Sequence, residues 1–221
     1  MGLRSLTYVI PDLHGRRDLL DLALARIDAH AAGNAATLVV LGDYVDKGPD
    51  SRGVIARLRA GMPLPWRVAM LKGNHDALMA AALRGEIAME EWLTRGGDTA
   101  LASYGGDVAD VPVHDIAWLD GRPLFFEDTH RLYVHAGVDP ALPLRKQDPM
   151  VLLTKRYADD DDVGLGGKHV VHGHDRRADG PLLLQNRSNL DTNAWATGRL
   201  VIGVFDDDVP GGPVERITIT L

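Results

Sequence analysis

The sequence has no cysteine. That excludes disulfides, zinc–thiolate sites and thiol nucleophiles. Aromatic residues are few: three Phe, five Tyr and four Trp. They are scattered, so they offer no platform for stacking bases. No apolar run approaches the ~20 residues needed to span a membrane. The longest candidates, 38–41 and 182–184, are strand length. Basic charge is not in excess either. Lys and Arg number 24 against 31 Asp and Glu, a formal net charge of −7. Nucleic-acid binders draw most of their affinity from a basic face that neutralises phosphates, so no stable nucleic-acid binding is expected, nor any membrane association. An acidic chain can still bind phosphate if metal ions supply positive charge locally. The opening residues, MGLRSLTYVI, show no long apolar core and no small-residue cleavage site, so a cytoplasmic location is expected. Oligomeric state and regulatory partners leave no sequence signal.

What is present suits a globular protein. Hydrophobic residues make up 45% and charged residues 25% of 221, enough for one domain with a core. Short β-rich runs at 6–10, 37–41 and 66–71 alternate with helical patterns at 17–31, 50–60 and 76–84. That order predicts an α/β fold with a largely parallel sheet and helices on its faces. Helical patterns continue at 90–94 and 114–119, interrupted by Gly96-Gly97 and Gly105-Gly106. From Pro123 the texture is β-rich, with runs at 124–127, 131–135, 168–172, 200–205 and 217–221 and a hairpin turn at Asp128-Thr129. With no internal repeat or linker, a single domain over 1–221 is expected.

Five segments carry the chemistry: Asp12-Leu13-His14-Gly15, Gly42-Asp43-Tyr44-Val45-Asp46-Lys47-Gly48, Gly73-Asn74-His75-Asp76, His135-Ala136-Gly137 and His172-Gly173-His174. Each begins where a predicted strand stops, and the carboxyl ends of parallel strands line one crevice. Asp, Asn and His together offer oxygens and imidazole nitrogens, a mixture that suits Mn, Fe or Zn. Asp12 and His14 stand two apart, so at a strand end both can reach one ion. Asp43 could bridge two ions through its two oxygens. Two metals ~3.5–4 Å apart form the usual clamp for phosphate-ester hydrolysis.

In order and kind, these segments resemble the PPP-type metallophosphoesterases. That calcineurin-like group includes serine/threonine protein phosphatases, the phage lambda phosphatase and bacterial symmetrical diadenosine tetraphosphatases. Its pattern runs GDxHG, GDxVDRG, GNHE or GNHD, HAG or HGG, and a late GH, matched here from Asp12 to His174. The resemblance implies a central β-sandwich of mixed sheets flanked by helices, with metals at the carboxyl ends of strands. It implies one divalent ion on Asp12, His14 and Asp43 and a second on Asp43, Asn74, His135 and His174, Mn²⁺ first with Fe or Zn as alternatives. His174 is preferred over His172 because the Gly-His pair falls at Gly173-His174. His75 would protonate the leaving oxygen, Asp46 would hold its tautomer, and a metal-bridging hydroxide would be the nucleophile.

Departures from the pattern bear on phosphate binding. Pro11 replaces a common Gly. Lys47 and Lys72 stand where relatives carry Arg, and Arg156 in Leu152-Leu153-Thr154-Lys155-Arg156 resembles an LLWxR segment without its tryptophan. Lys47, Lys72 and Arg156 are therefore the expected phosphate clamps. Asp191-Thr192 resembles a DTG segment with Asn193 in place of Gly, read as support near the metals. His30, His114, His130 and His169 lack matching partners and read as surface or core residues. The carboxylates of 159–162 read as a solvated loop or as a rim that repels highly anionic substrates, and those of 206–208 as a solvated loop.

The resemblance implies a metal-dependent phosphomonoester hydrolase. Phosphoserine and phosphothreonine proteins, with phosphotyrosine proteins beside them, are the first expected substrates. Symmetrical dinucleoside tetraphosphates are the alternative, requiring extra cations to hold a polyphosphate. Phosphodiesterase action on nucleotides comes next, and an inactive binding module last.

Overall fold

Residues 5–62 and 66–221 are described by a computed structural model. The alternation of apolar runs and helical periodicity in the first half gives β1 (Leu6–Ile10), α1 (Arg17–Ala31), β2 (Ala36–Val40), α2 (Ser51–Arg59), β3 (Arg67–Met70) and α3 (Asn74–Leu83). Then follow α4 (Met89–Trp92), a wide turn over Leu93–Gly97, α5 (Asp98–Tyr104), α6 (Val113–Asp120), β4 (Phe125–Glu127) and β5 (Arg131–Val134). The chain ends with α7 (Pro149–Thr154), β6 (His169–His172), β7 (Leu182–Leu183), β8 (Arg187–Asn189), α8 (Ala194–Thr197), β9 (Arg199–Asp206) and β10 (Glu215–Thr220).

The strands form two five-stranded sheets, ordered β10-β9-β1-β2-β3 and β4-β5-β6-β8-β7. β1, β2 and β3 run parallel, as the alternation predicts, but β9 and β10 add to the same sheet antiparallel. In the second sheet β5, β6 and β8 are parallel, with antiparallel β4 and β7 at the edges. Two mixed sheets, as the family resemblance implies, are found, and the single largely parallel sheet suggested by alternation alone describes only β1, β2 and β3. The cause is the β-rich second half, whose strands complete the first sheet and build the second.

Period-2 alternation sets which residues go where. Val9, Val39, Leu41, Leu71 and Phe205 on the first sheet's side meet Tyr133, Val171 and Leu190 on the second sheet's side in a buried layer between the sheets. Their neighbours Tyr8, Ile10, Leu38 and Val40 face the other way and pack with Leu20, Leu24 and Ile27 of α1. A third cluster, with Leu132, Val134 and Val170, packs Leu152 of α7 on the outer face of the second sheet. No helix among the described residues is long and apolar enough to cross a membrane.

The layer between the sheets is tight at Gly203 of β9. A Cβ there would lie 2.7 Å from Phe205 Cε2 and 3.0 Å from Leu190 Cδ1. Overpacking of this kind costs about 1–3 kcal/mol. Gly203→Ala is expected to lower the melting temperature by roughly 2–12 °C, at ~2–4 °C per kcal/mol for a chain this size. Calorimetry checks it; an unchanged melting temperature would show that Phe205 yields without cost.

Candidate metal centre

The chemically distinctive residues collect where strands of both sheets end. Asp12 follows β1, Asp43 follows β2, Asn74 opens α3 after β3, His135 follows β5, and His174 follows β6. Reaching inward from strand ends bends the backbone hard. His14, Asp43, Asp46, Lys47 and His174 all take positive φ, between 43° and 71°, a region that non-glycine residues rarely adopt and that clusters at functional sites. The amides of Leu13 and His14 donate to Asp43 O at 3.1 and 2.8 Å. The Asp76 carboxylate accepts three further amides: Asp43 and Gly73 at 2.8 Å and Tyr44 at 2.9 Å. Asp76 therefore ties the second motif to the third. Burial and the Asp43 charge push its carboxyl well above the usual range, against the pull of those amides. Two glycines are needed for close approach. A Cβ on Gly73 would sit 2.1 Å from Asp43 Oδ1, and one on Gly173 would sit 2.0 Å from Asp12 Oδ1.

Two groups of ligand-bearing side chains result. His14, Asp43 and His75 form one, and Asp43, His135 and His174 the other. Asp43 belongs to both. Its Oδ2 is 3.3 Å from His14 Nε2 and its Oδ1 is 3.5 Å from His135 Nε2. Asn74 Oδ1 lies 3.0 Å from both His135 Nε2 and His174 Nδ1. The ring tautomers are fixed from behind. His14 Nδ1–H donates to Val45 O at 2.8 Å and His135 Nδ1–H to Leu41 O at 3.0 Å. That leaves both Nε2 lone pairs facing the centre, the usual arrangement for ligating histidines. Burial holds His14 and His174 down to about 3 and lowers His135 too, so the rings are neutral near pH 7.

At His135 an acceptor lone pair thus faces the Asn74 and Asp43 oxygens. Burial would raise Asp43, but any positive charge taken up by the neighbouring His135, His75 and His14 rings, or carried by Lys47, outweighs it, so its carboxyl lies below the usual range. Burial pushes Asp12 well above its ordinary value, and Asp191 and Asp43 add repulsion. Divalent cations would relieve both the acceptor contacts and the crowded carboxylates, so the donor set fits two such ions. Asp12 itself lies outside both groups and accepts the His174 amide at 3.1 and 3.2 Å.

His75 stands beside this centre, its ring 4.8 Å from that of His14. Its Nδ1–H donates to Asp46 Oδ2 at 2.6 Å, which directs Nε2 away from Asp46. The other Asp46 oxygen accepts Trp92 Nε1–H at 2.8 Å. Burial raises the Asp46 carboxyl, while the His75 hydrogen bond pulls it down.

A cleft of about 420 Å³ opens over the centre, and four cationic residues line it: Lys47, Arg95, Arg156 and Arg176. Lys47 Nζ lies 2.8 Å from His14 Nε2. Burial lowers its pKa, although Asp43 opposes that. Arg156 lines the cleft while its Nη1 pairs with Asp175 at 3.1 Å. Lys72 is the correction. Its ammonium pairs with Asp120 at 3.1 Å, beside Arg84 on the same carboxylate, and it does not line the cleft. A side chain next to a motif can leave by the opposite side when a carboxylate waits there.

His172 lies outside both groups; its Nε2 accepts Arg187 Nη1 at 3.2 Å. His30, His114, His130 and His169 are outside them too. Asp191 Oδ1 accepts the Asn193 amide at 2.7 Å, and Asn193 takes φ 56°, which explains Asn where relatives place Gly. Three of the four carboxylates of 159–162 have partners away from the cleft. Asp159 pairs with Arg177, Asp161 accepts the Ala158 amide, and Asp162 accepts the Asn186 amide and side chain. None of the four lines the cleft.

Position 47 offers a direct test. A guanidinium holds two phosphate oxygens where an ammonium holds one. Lys47→Arg is expected to tighten inhibition by inorganic phosphate about fivefold, the equivalent of ~1 kcal/mol for one added charge-assisted bond. An unchanged inhibition constant would place Lys47 off the phosphate.

Comparison with known proteins agrees with this geometry. The family model for calcineurin-like phosphoesterases matches residues 6–192. The symmetrical bis(5'-nucleosyl)-tetraphosphatase of Janthinobacterium sp. (strain Marseille) is 36% identical over 134 residues, which are 61% of this chain and 44% of that protein. Serine/threonine-protein phosphatase SIT4 of Candida albicans is 29% identical over 147 residues, 66% of this chain and 43% of that one. The chain thus spans less than half the length of these curated relatives. A crystal structure provisionally described as a diadenosine tetraphosphatase has a TM-score of 0.67 at 24% identity, covering 99% of this chain and 98% of the other. At that identity the likeness speaks for the fold.

Proposed function

Since the chain belongs to the calcineurin-like phosphoesterase family, we propose that its cleft hydrolyses phosphoric esters and anhydrides, with dinucleoside polyphosphates as preferred substrates. The observation that carries the reaction class is the pair of donor groups sharing Asp43, one of which includes His75, whose ring is oriented by Asp46. Asp12, His14 and Asp43 would hold one divalent ion, and Asp43, Asn74, His135 and His174 the other. Mn²⁺ is our first choice for such a mixed oxygen and imidazole set, with Fe or Zn as alternatives. Ions held there supply Lewis-acid charge for phosphoryl oxygens and lower the pKa of water.

The chain's own residues do the rest. Lys47 and Arg156 hold oxygens of the phosphate under attack. His75 gives the proton on Nε2 to the departing oxygen. Asp46 keeps Nδ1 protonated and stabilises the charged ring before transfer. The buried Trp92 indole holds the Asp46 carboxylate in place.

Two observations support a polyphosphate substrate. Cations beyond those a monoester needs line the cleft, and none of the acidic residues 159–162 is among its lining residues. Relatives named as symmetrical dinucleoside tetraphosphatases point the same way. A second reading, hydrolysis of phosphoserine and phosphothreonine peptides, is favoured by an apolar groove of about 400 Å³ beside the cleft. Leu78, Ile87, Met150 and Leu153 line it, and it could seat side chains flanking a phosphorylated residue.

The test strips metal, restores Mn²⁺, and compares nucleotide release from diadenosine tetraphosphate with phosphate release from a phosphothreonine peptide. Faster dinucleotide cleavage by at least tenfold is expected. The reverse ranking would establish the peptide reading, and failure on both with metal bound would reject both substrate classes.

A further inference from the structure

We propose that Arg95 and Arg176 form a second anion subsite in the cleft, holding phosphates beyond the one being cleaved. The inference rests on the reading of the cleft as a phosphate-hydrolysing site and assigns specificity to two residues outside the recognised motifs. Its ligand class is a chain of linked phosphates, whether in a nucleoside polyphosphate or in an inorganic one.

Arg176 makes no hydrogen bond or ion pair with any described residue, although both of its neighbours do. Asp175 pairs with Arg156, and Arg177 pairs with Asp159. The backbone around Arg176 is nonetheless pinned. The Asp175 amide donates to Gly173 O at 2.7 Å and the Arg177 amide to Asp191 O at 3.0 Å. A free guanidinium is therefore carried on a fixed loop two residues beyond His174, over the cleft. Lys47 and Arg176 line the same cleft.

Arg95 reaches the same cleft from the other half of the chain. It stands in the wide turn Leu93–Gly97, where Gly96 takes φ 103°. That turn is fastened to the catalytic segment at two points. Gly96 O accepts the Lys47 amide at 3.0 Å, and Trp92 Nε1–H donates to Asp46 at 2.8 Å. Gly97 lies so close to the Trp92 indole that a Cβ would come within 2.5 Å of it. Among the described residues the side chain's one partner is Glu91 at 3.4 Å, with about half of each side chain exposed. Pairs of that kind hold little free energy, so the guanidinium is available to a ligand.

Lys47 and Arg156 suffice for one phosphate. Two more guanidiniums on anchored backbone match the added charge of a phosphate chain, and the planar fork suits its non-bridging oxygens. A phosphorylated side chain carries no second phosphate for them to meet.

The experiment measures inhibition of p-nitrophenyl phosphate hydrolysis by inorganic tripolyphosphate and by orthophosphate, at fixed free Mn²⁺. Wild type is compared with the Arg95→Ala, Arg176→Ala double variant, whose melting temperature is recorded as the folding control. Tripolyphosphate is expected to inhibit wild type at least tenfold more tightly than orthophosphate, and that ratio should fall at least fivefold in the double variant. Calorimetric titration of both proteins with the same two anions gives the ratio directly if monoester turnover is absent. A ratio near one in wild type, or one that survives in the double variant, overturns the proposal. The substrate reading is judged separately. A lost ratio with poor diadenosine tetraphosphate cleavage by wild type keeps the subsite and points to an inorganic polyphosphate. Rapid dinucleotide cleavage with an unaltered ratio keeps the function and removes the subsite.

Discussion

His75→Asn is expected to lower kcat by about 10²- to 10⁴-fold, the range for loss of a positioned general acid, with metal content unchanged. The structure separates the two roles at this position. The His75 amide, which donates to Asp43 Oδ1 at 2.9 Å, survives the substitution. So does the cavity, since asparagine is smaller and polar. What disappears is the imidazole aligned by Asp46. The loss should depend on the leaving group: large for an alkyl phosphate, whose departing oxygen needs a proton, and small for p-nitrophenyl phosphate, whose oxygen needs less help. Asp46→Asn should show the same dependence with a smaller loss, because the ring remains. Metal analysis beside kcat on both esters checks this. An equal loss on both esters would mean that His75 acts on something other than the departing oxygen.

The second large effect is on stability. Metal-free protein buries mutually repelling carboxylates, with the His135 lone pair facing the Asn74 oxygen. Ligands that bind only the folded state stabilise it by about 4 kcal/mol at a thousandfold excess over Kd. At ~2–4 °C per kcal/mol, saturating Mn²⁺ should raise the melting temperature by roughly 8–16 °C over the chelated protein. Asp43→Asn should abolish most of that rise, because Asp43 serves both groups. Its own metal-free melting temperature should change far less, since the exchange removes one buried charge. Differential scanning fluorimetry with and without chelator gives both numbers. A full Mn²⁺ shift in Asp43→Asn would refute the shared-carboxylate arrangement.

Much of this candidate centre is legible in the sequence, and the reason is local. A ligand at a strand end advertises itself by an abrupt change from apolar residues to Asp, His or Asn beside glycine, so Asp12, His14, Asp43, Asn74, His135 and His174 stand out within a few residues of their strands. Residues that act across the fold give no such signal. Asp76 resembles an ordinary first-turn acid of α3, yet it gathers three amides from two segments, Asp43-Tyr44 and Gly73. Trp92 meets Asp46 across 46 positions. Arg95 and Arg176 belong to no motif and are found only through the cleft they share. Lys72 shows the opposite error, in which closeness in sequence suggests a clamp and Asp120 draws the side chain elsewhere. The fold divides similarly. The first three strands and their helices follow from periodicity, whereas β7 and β8, two and three residues long, are too short to show any. Helix α7 has its signal in Asp148-Pro149, a cap followed by a proline in the first turn, which the resemblance of the following residues to a phosphate clamp obscured.

The buried layer between the two sheets has a further consequence. Asp12, His14, Asp43 and Asn74 come from one side of that seam, His135 and His174 from the other. The reactive centre therefore works as a gauge of sheet alignment. A shift of a few tenths of an ångström between the sheets, too small to disturb either one alone, changes the spacing of the two donor groups directly. Substitutions deep in the sandwich, Gly203→Ala among them, should then register as altered metal affinity as well as altered melting temperature. Conversely, ions bridging the seam should slow hydrogen exchange in strands of both sheets together, joining them into one cooperative unit.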